Sequence, residues 1–265
     1  MNVVLSIAGS DTSAGAGIQQ DLKTMTAFGH YGATVITAIT SQNTMGVQGV
    51  MPLPDDVVTS QIHSVLDDLD VKAIKIGQIP NAEVAHAIAH SLGEHFHATQ
   101  TRLPIVYDPV MISTSGKRLM TADSISTIQS ELFPLCTLIT PNIPEAEHLT
   151  GRRLLCKDDI MDAGKQLVAR FGTNILIKGG HAEGETMTDI LFTADGEHEE
   201  YHTQKVDTKN LHGTGCTLSS AIACKLAEGT ALSQSVQEAK DFVTKAIIGG
   251  KDLCIGHGNG PLWNF

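Results

Sequence analysis

The sequence predicts an α/β protein built on one mostly parallel β-sheet with helices on both faces. Short β-branched runs alternate with longer amphipathic segments along most of the 265 residues. The runs are near-continuously apolar rather than alternating, as in strands covered on both sides. Each also ends in a small polar cluster. In open parallel sheets ligands bind outside the carboxyl ends of the strands, so those clusters mark one functional edge.

Taken in order, Val3 to Ala8 is a strand, and Gly9-Ser10-Asp11 leads from it toward a helix over Ala16 to Phe28. Tyr31 to Ile39 is the second strand, ending in Ser41-Gln42-Asn43 before a helix from Asp55 to Leu69. Ala73 to Gly77 is the third, carrying Lys75-Ile76-Gly77-Gln78 at its end, and Ala82 to Phe96 is helical. Leu103 to Asp108 runs into Asp108-Pro109-Val110-Met111, followed by a helix over Ser124 to Leu132. Leu135 to Thr140 runs into Thr140-Pro141-Asn142, where Asn142-Ile143-Pro144-Glu145 begins a helix; Asp158 to Phe171 is another. Asn174 to Gly180 contains Lys178-Gly179-Gly180 and is followed by His181. Thr188 to Thr193 and Glu199 to Val206, separated by Ala194-Asp195-Gly196, read as a β-hairpin. Helices over Gly213 to Glu228 and Leu232 to Lys251 complete the pattern. No repeat or linker divides it, and a single domain over residues 1–265 is expected.

A net charge of −11 argues against nucleic-acid and anionic-membrane partners, which need a basic field. No apolar run approaches ~18 residues, and the first is too short for a signal peptide, so a cytoplasmic protein is expected. The five cysteines are scattered without a C-x-x-C, which predicts reduced thiols rather than disulfides or a zinc site. His86 with His90, and His95 with His97, read as solvated helix-face residues because no third ligand stands at metal spacing.

The most informative stretch is Asn210-Leu211-His212-Gly213-Thr214-Gly215-Cys216, a glycine-punctuated turn entering a helix. The first N–H groups of a helix have no intrahelical partner, and with the helix dipole they favour a phosphate or oxyanion. Cys216 sits where that field is expected to lower a thiol toward neutral ionisation, so it could accept a proton from an attacking hydroxyl. The plainer alternative is a glycine turn with a small buried cysteine.

Gly9 to Gly17 fits neither a P-loop nor a dinucleotide fingerprint. It is either a βα turn capped by Thr12 or Ser13, or a substrate-binding loop. Asp21 is either a solvated helix residue or a carboxylate turned back to the pocket. Asp108, Asn142 and Glu145 form an oxygen-rich set suited to Mg2+, although Asn142 and Glu145 also suit a helix cap. Lys178 follows Ile175-Leu176-Ile177 and is hard to explain as core, which favours a role beside nucleotide phosphates; Lys209 and His181 share that edge.

These blocks, in this order, resemble the hydroxymethylpyrimidine/phosphomethylpyrimidine kinases of thiamine biosynthesis, in the ribokinase superfamily. The matching residues are Ser6 to Asp11, Gly15 to Lys23, Gln42-Asn43-Thr44, Asp108 to Met111, Thr140-Pro141-Asn142, Lys178 to His181, Thr208 to Thr217 and Gly256 to Pro261. The resemblance implies a ribokinase-like fold and an ATP- and Mg2+-dependent kinase acting twice on a small pyrimidine. It implies Gln42 at the aminopyrimidine edge with Asp21, the Gly9 backbone, Gln78 and Val110 nearby. Asn142, Lys178 and Lys209 would serve the nucleotide, and Glu145 and Asp108 the metal, partly through water. Gly213, Thr214 and Gly215 would form the anion hole, with Cys216 as base. A homodimer is also expected. The family commonly has Met where this chain has Gln78, which bears on the shape of the pocket. Pyridoxal kinases of the same fold are the nearest alternative, and a catalytically silent sensor a more distant one.

Overall fold

The computed structural model describes residues 1–111, 120, 122–179 and 186–265. Strands β1 (Val3–Asp11), β2 (Tyr31–Asn43), β3 (Gly46–Pro52), β4 (Val71–Ile76), β5 (Ile105–Tyr107), β6 (Leu138–Ile139), β7 (Asn174–Ile177), β8 (Thr186–Phe192) and β9 (His198–Gln204) form one sheet. Among the described residues their order is β3-β2-β1-β4-β5-β6-β7-β8-β9. From β2 through β7 the pairing is parallel, and antiparallel strands flank it on both sides.

The sequence expectation did not include β3, which pairs with β2. Its two glycines, terminal proline and half-open side chains hide the apolar signature of a buried strand, and a sheet edge tolerates all three. The helix expected over 124–132 is an α-helix, Ala122–Thr127, continued by a π turn, Ile128–Leu132.

Alternation along each strand divides the core. Leu5, Ile7, Ile74 and Ile76 pack against α2 (Asp55–Leu66), α3 (Ala82–Thr99) and α6 (Lys157–Phe171). Val4, Ala73, Val106 and Leu176 face α1 (Gly17–Ala27), α7 (Thr214–Ala227) and α8 (Leu232–Gly250) on the other side. Each fully buried Leu or Ile stabilises this arrangement by about 1.5–3 kcal/mol. Lys75 has the strand parity of Ala73, and is fully buried. The sheet order reverses direction between β1 and β4, and such a switch point opens a crevice at the carboxyl edge.

Candidate active site

That crevice is a cavity of about 720 Å³, within the range of small-molecule sites. It is lined by the ends of β1, β4, β5 and β7, by the start of α7, and by the 203–208 segment beside α8.

Gly213 is the N-cap of α7 with φ of 90°. A Cβ there would fall 1.9 Å from the Gly15 carbonyl oxygen, so glycine alone permits this turn. Its carbonyl accepts hydrogen bonds from both the Thr217 N–H and the Thr217 hydroxyl, at 2.9 Å each. Gly215 stands so close to the opposite wall that a Cβ would lie 2.9 Å from Asp108 Oδ2 and 3.4 Å from Lys178 Nζ. Thr214, Gly215 and Cys216 all line the cavity.

Cys216 does not have the lowered proton affinity expected of it. Burial pushes the thiol up to about 11; Lys75 pulls it down, Asp21 and Asp108 add to the rise, and the Gly17 N–H opposes it. The sulfur therefore meets the start of α1 as well as that of α7. Desolvation nevertheless outweighs both helix ends, because a thiolate loses more from leaving water than partial dipole charges return.

Across the cavity Lys178 donates to Asp108 Oδ1 at 2.6 Å, and Thr140 donates to the same oxygen at 3.3 Å. Against the penalty of burial, Asp108 and Glu145 hold the Lys178 ammonium above its usual proton affinity. Asn142 and Glu145 make a reciprocal capping box at the start of α5 (Ile143–Thr150): Glu145 N–H donates to Asn142 Oδ1 at 2.9 Å, and Asn142 N–H to Glu145 Oε2 at 2.8 Å. Both also line the cavity, so the capping and site roles coexist. Burial pushes the Glu145 carboxyl up to about 7; Lys178 opposes and Asp108 reinforces this.

At the other end, Asp11 organises the β1–α1 turn. Its carboxylate accepts from Ser13 N–H (2.8 Å), Ser13 Oγ (2.8 Å), Ala16 N–H (2.9 Å) and Gly15 N–H (3.2 Å). Neither Thr12 nor Ser13 caps α1 directly. Instead, Thr12 donates to Thr40 O at 2.9 Å and accepts from Gln42 N–H at 2.8 Å, pinning the end of β2.

His212 Nε2 lies 2.9 Å from Asp11 Oδ2 and 3.1 Å from the Gln42 amide. Burial works against ionised Asp11, but hydrogen bonds from His212 and Ser13 hold it below its usual range. An ionised acceptor places the proton on His212 Nε2, which donates it to Asp11, and Gln42 Nε2 stands 3.1 Å from the same ring nitrogen. Gln42 Oε1 lies 3.4 Å from Thr40 Oγ1, which donates to Ser10 O at 2.9 Å. Gln78 Oε1 lies over Gly9, while Gln78 Nε2 is buried with no hydrogen-bond partner among the described residues. Val110 also lines this end.

Two expected site residues lie elsewhere. Asp21 is fully buried and bonded to Lys75, outside the cavity lining, because its carboxylate is turned into the core rather than toward the pocket. Lys209 is exposed and also outside the lining, its segment turning the side chain to solvent. His181 falls outside the described residues. Lys75 carries no motif; a lysine between Ile74 and Ile76 in an apolar strand is the signal that marks it. Asp189 and Lys240 are likewise silent in sequence. Both line the cavity, Lys240 donates to Asp189 Oδ2 at 2.6 Å, and Asp189 Oδ1 accepts the Gly179 N–H at 2.9 Å.

A doubly covered parallel sheet with a glycine-opened helix start facing a lysine–carboxylate pair is the arrangement of a ribokinase-like phosphotransferase. A model of the phosphomethylpyrimidine kinase family matches residues 11–263, and the chain belongs to that family. It is 43% identical to the hydroxymethylpyrimidine/phosphomethylpyrimidine kinase of Rhizobium meliloti, covering 99% of this chain and 97% of that one. The crystal structure of phosphomethylpyrimidine kinase from Clostridium difficile superposes with a TM-score of 0.81 at 40% identity, over 93% of this chain and 100% of the other. An ADP complex of Bacillus subtilis pyridoxal kinase gives 0.87 at 32% identity, over 100% and 97%.

Proposed function

We propose that this chain uses ATP to phosphorylate hydroxymethylpyrimidine and then its monophosphate, yielding the pyrophosphate for thiamine diphosphate biosynthesis. The observation that carries this reading is the Gly213–Cys216 turn facing the Asp108–Lys178 pair, in a chain matching phosphomethylpyrimidine kinases along nearly its whole length. The N–H groups of the turn cradle the transferring phosphoryl group, and Lys178 supports the nucleotide phosphates. The substrate hydroxyl oxygen attacks the γ-phosphorus, its proton passes to Cys216 Sγ, whose reactive thiolate is the minor form near neutral pH, and the bond to the bridging oxygen breaks with its electron pair retained by ADP. In the second round the nucleophile is an ionised phosphate oxygen, which needs no base. Gln42, held by His212 and Thr40, presents its remaining N–H and lone pair to the aminopyrimidine edge. Val206, Val243 and Ile247 give the nucleotide end an apolar wall.

The donor set suits Mg2+. Among the described residues no cluster of three or more His, Cys, Asp or Glu gathers, and Mg2+ takes one or two carboxylates plus phosphate oxygens. Glu145, buried and reluctant to ionise, gains a counter-charge from a cation at its carboxyl edge. Glu145 and Asp108 would hold the ion, with Asn142 close by; when bound, Mg2+ neutralises charge on the phosphates.

Fold likeness alone does not separate pyrimidine from pyridoxal substrates, since pyridoxal kinase superposes as well; the higher identity to pyrimidine kinases favours the former. A coupled ADP-release assay with hydroxymethylpyrimidine, its monophosphate and pyridoxal tests this, and a larger kcat/KM for pyridoxal overturns the assignment. We also propose a cytoplasmic homodimer. Five free thiols suit a reducing compartment, and exposed Ile39, Met45 and Met51 on the β2–β3 hairpin offer an apolar surface to a second copy. A monomer in sedimentation at micromolar concentration removes the dimer. Among the described residues, no helix is long and apolar enough to cross a membrane.

A further inference from the structure

The Gly256 to Pro261 block is not among the residues that line the cavity. From Cys254 to Asn259 no side chain is buried, so apolar burial does not fix this segment. Hydrogen bonds to two elements distant in sequence do. At the tip of the β2–β3 hairpin, Thr44 Oγ1 accepts from the His257 and Gly258 N–H groups at 3.1 Å each, and Thr44 O accepts from Asn259 N–H at 3.0 Å. One residue further on, Gly260 N–H donates to Asn210 Oδ1 and Gly260 O accepts from His212 N–H, both at 3.1 Å. Neither approach leaves room for a side chain: a Cβ at Gly258 would fall 2.0 Å from Thr44 O, and one at Gly260 2.3 Å from Asn210 Oδ1.

Asn210 is the firmer anchor. It is buried, and its amide also donates to Gly250 O at the end of α8 and to Leu253 O just beyond, at 2.8 Å each. His212 directly precedes Gly213, the N-cap of α7, and its Nε2 lies 3.1 Å from the Gln42 amide nitrogen. The contacts therefore close a circuit: Gln42 to Thr44 along the chain, Thr44 across to Gly258, Gly258 to Gly260 along the chain, Gly260 across to His212, and His212 back to Gln42. A hairpin at a sheet edge, its second strand half-open, has little packing to hold its tip. The circuit supplies that constraint, and it passes through the end of β2 and the start of the glycine turn.

We infer that residues 256–260 form a strap that positions the site: anchored on Thr44 and Asn210, it fixes the backbone of Gln42 relative to the turn that opens α7. Thr44 and Asn210 are thus positioning residues for the reaction, while the Gln42 amide stays free to turn. The consequence for catalysis rests on the function proposed above; the tie between hairpin tip and turn does not.

The test is hydrogen exchange by mass spectrometry on wild type, Thr44→Val, Thr44→Ser and Gly258→Ala, reading peptides over residues 38–47, 208–218 and 3–8. Thr44→Val removes the acceptor of two N–H groups, and Gly258→Ala pushes the strap off Thr44 from the other side. In both, the first two peptides are expected to exchange about tenfold faster and the core strand peptide to be unchanged, with Thr44→Ser matching wild type. KM for hydroxymethylpyrimidine should rise about tenfold in the same two variants, with ADP affinity unchanged. Faster exchange at 38–47 alone overturns the inference, since the contact then serves only the hairpin. Equal acceleration of the core strand overturns it as well, by making the segment a contributor to general stability. Loosening of both site peptides with an unchanged KM removes the positioning role. A wild type that prefers pyridoxal refutes the substrate assignment instead, and the kinetic comparison is then made with pyridoxal while the exchange result stands.

Discussion

The two ends of the cavity are built differently. At the end proposed for phosphoryl transfer, Asp108 is paired with Lys178 and Asp189 with Lys240 across different elements, while Glu145 accepts the Asn142 N–H within the cap of its own helix. At the end proposed for the substrate, the Asp11–His212 pair is joined by two amides at strand ends, Gln42 and Gln78, and Gln78 Nε2 has no partner among the described residues. Paired charges in a closed wall have one low-energy arrangement, whereas amides can turn and exchange partners. We propose that the rigid end sets the reaction class and the adjustable one the choice of substrate. Superposition on a pyridoxal kinase at a TM-score of 0.87 fits such a division.

The largest effect that sharpens this contrast is expected of Cys216→Ala at the rigid end. Removing a proton acceptor while keeping the backbone turn should lower kcat by roughly 10²–10⁴, with ADP affinity nearly unchanged by calorimetry. Wild-type turnover would leave Cys216 as packing only.

Glu145→Gln probes the same end with a smaller change. Mg2+ for half-maximal rate should rise roughly tenfold. Because burial raises the Glu145 proton affinity to about 7, the ionised form that attracts Mg2+ accumulates as pH rises through that value. In wild type the Mg2+ requirement should therefore fall between about pH 6 and pH 8, and in the variant stay flat. The stability linkage has the opposite sign. An acid whose folded proton affinity is raised costs the fold stability on ionising, so without metal the variant should gain on wild type between 4.5, the ordinary value, and about 7, then level off. Parallel Mg2+ and thermal-melt profiles for the two proteins would refute both statements.

The smallest effect is expected at the adjustable end. Gln78→Met removes a buried donor that has no partner among the described residues and should stabilise the metal-free, nucleotide-free protein by about 1–2 kcal/mol in urea melts. KM for hydroxymethylpyrimidine should change more than kcat. A less stable variant would mean that Gln78 Nε2 is satisfied in solution, and the contrast between the two ends would weaken.

Much of the fold was legible because each core strand is an apolar run and each amphipathic helix has a polar face. Strand β3 was not, since Gly46, Gly49 and Pro52 on a half-open edge carry no burial signal. The cavity's rim was legible for a related reason: polar residues that end apolar strands have few places to be except the carboxyl edge. What lay beneath the rim was not. Asp21 and Lys75 are 54 residues apart and Asp11 and His212 are 201 apart, so their pairing belongs to packing rather than to any local pattern. The ionisation of Cys216 was misjudged for the same reason. The helix start is written in the sequence, whereas the depth of burial that outweighs it is not.

The bridge from Lys240 through Asp189 to the Gly179 amide has a consequence for descent. Lys240 sits on the last helix and Asp189 on a strand 51 residues earlier, yet losing either alone strands a charge in the wall beside Lys178. Lineages that diverge from this chain are expected to keep both residues or replace both, because a single replacement leaves an unpaired buried charge. The two positions should therefore be inherited as one character across an alignment, with their joint loss marking branches in which the Gly179 amide is held by other means.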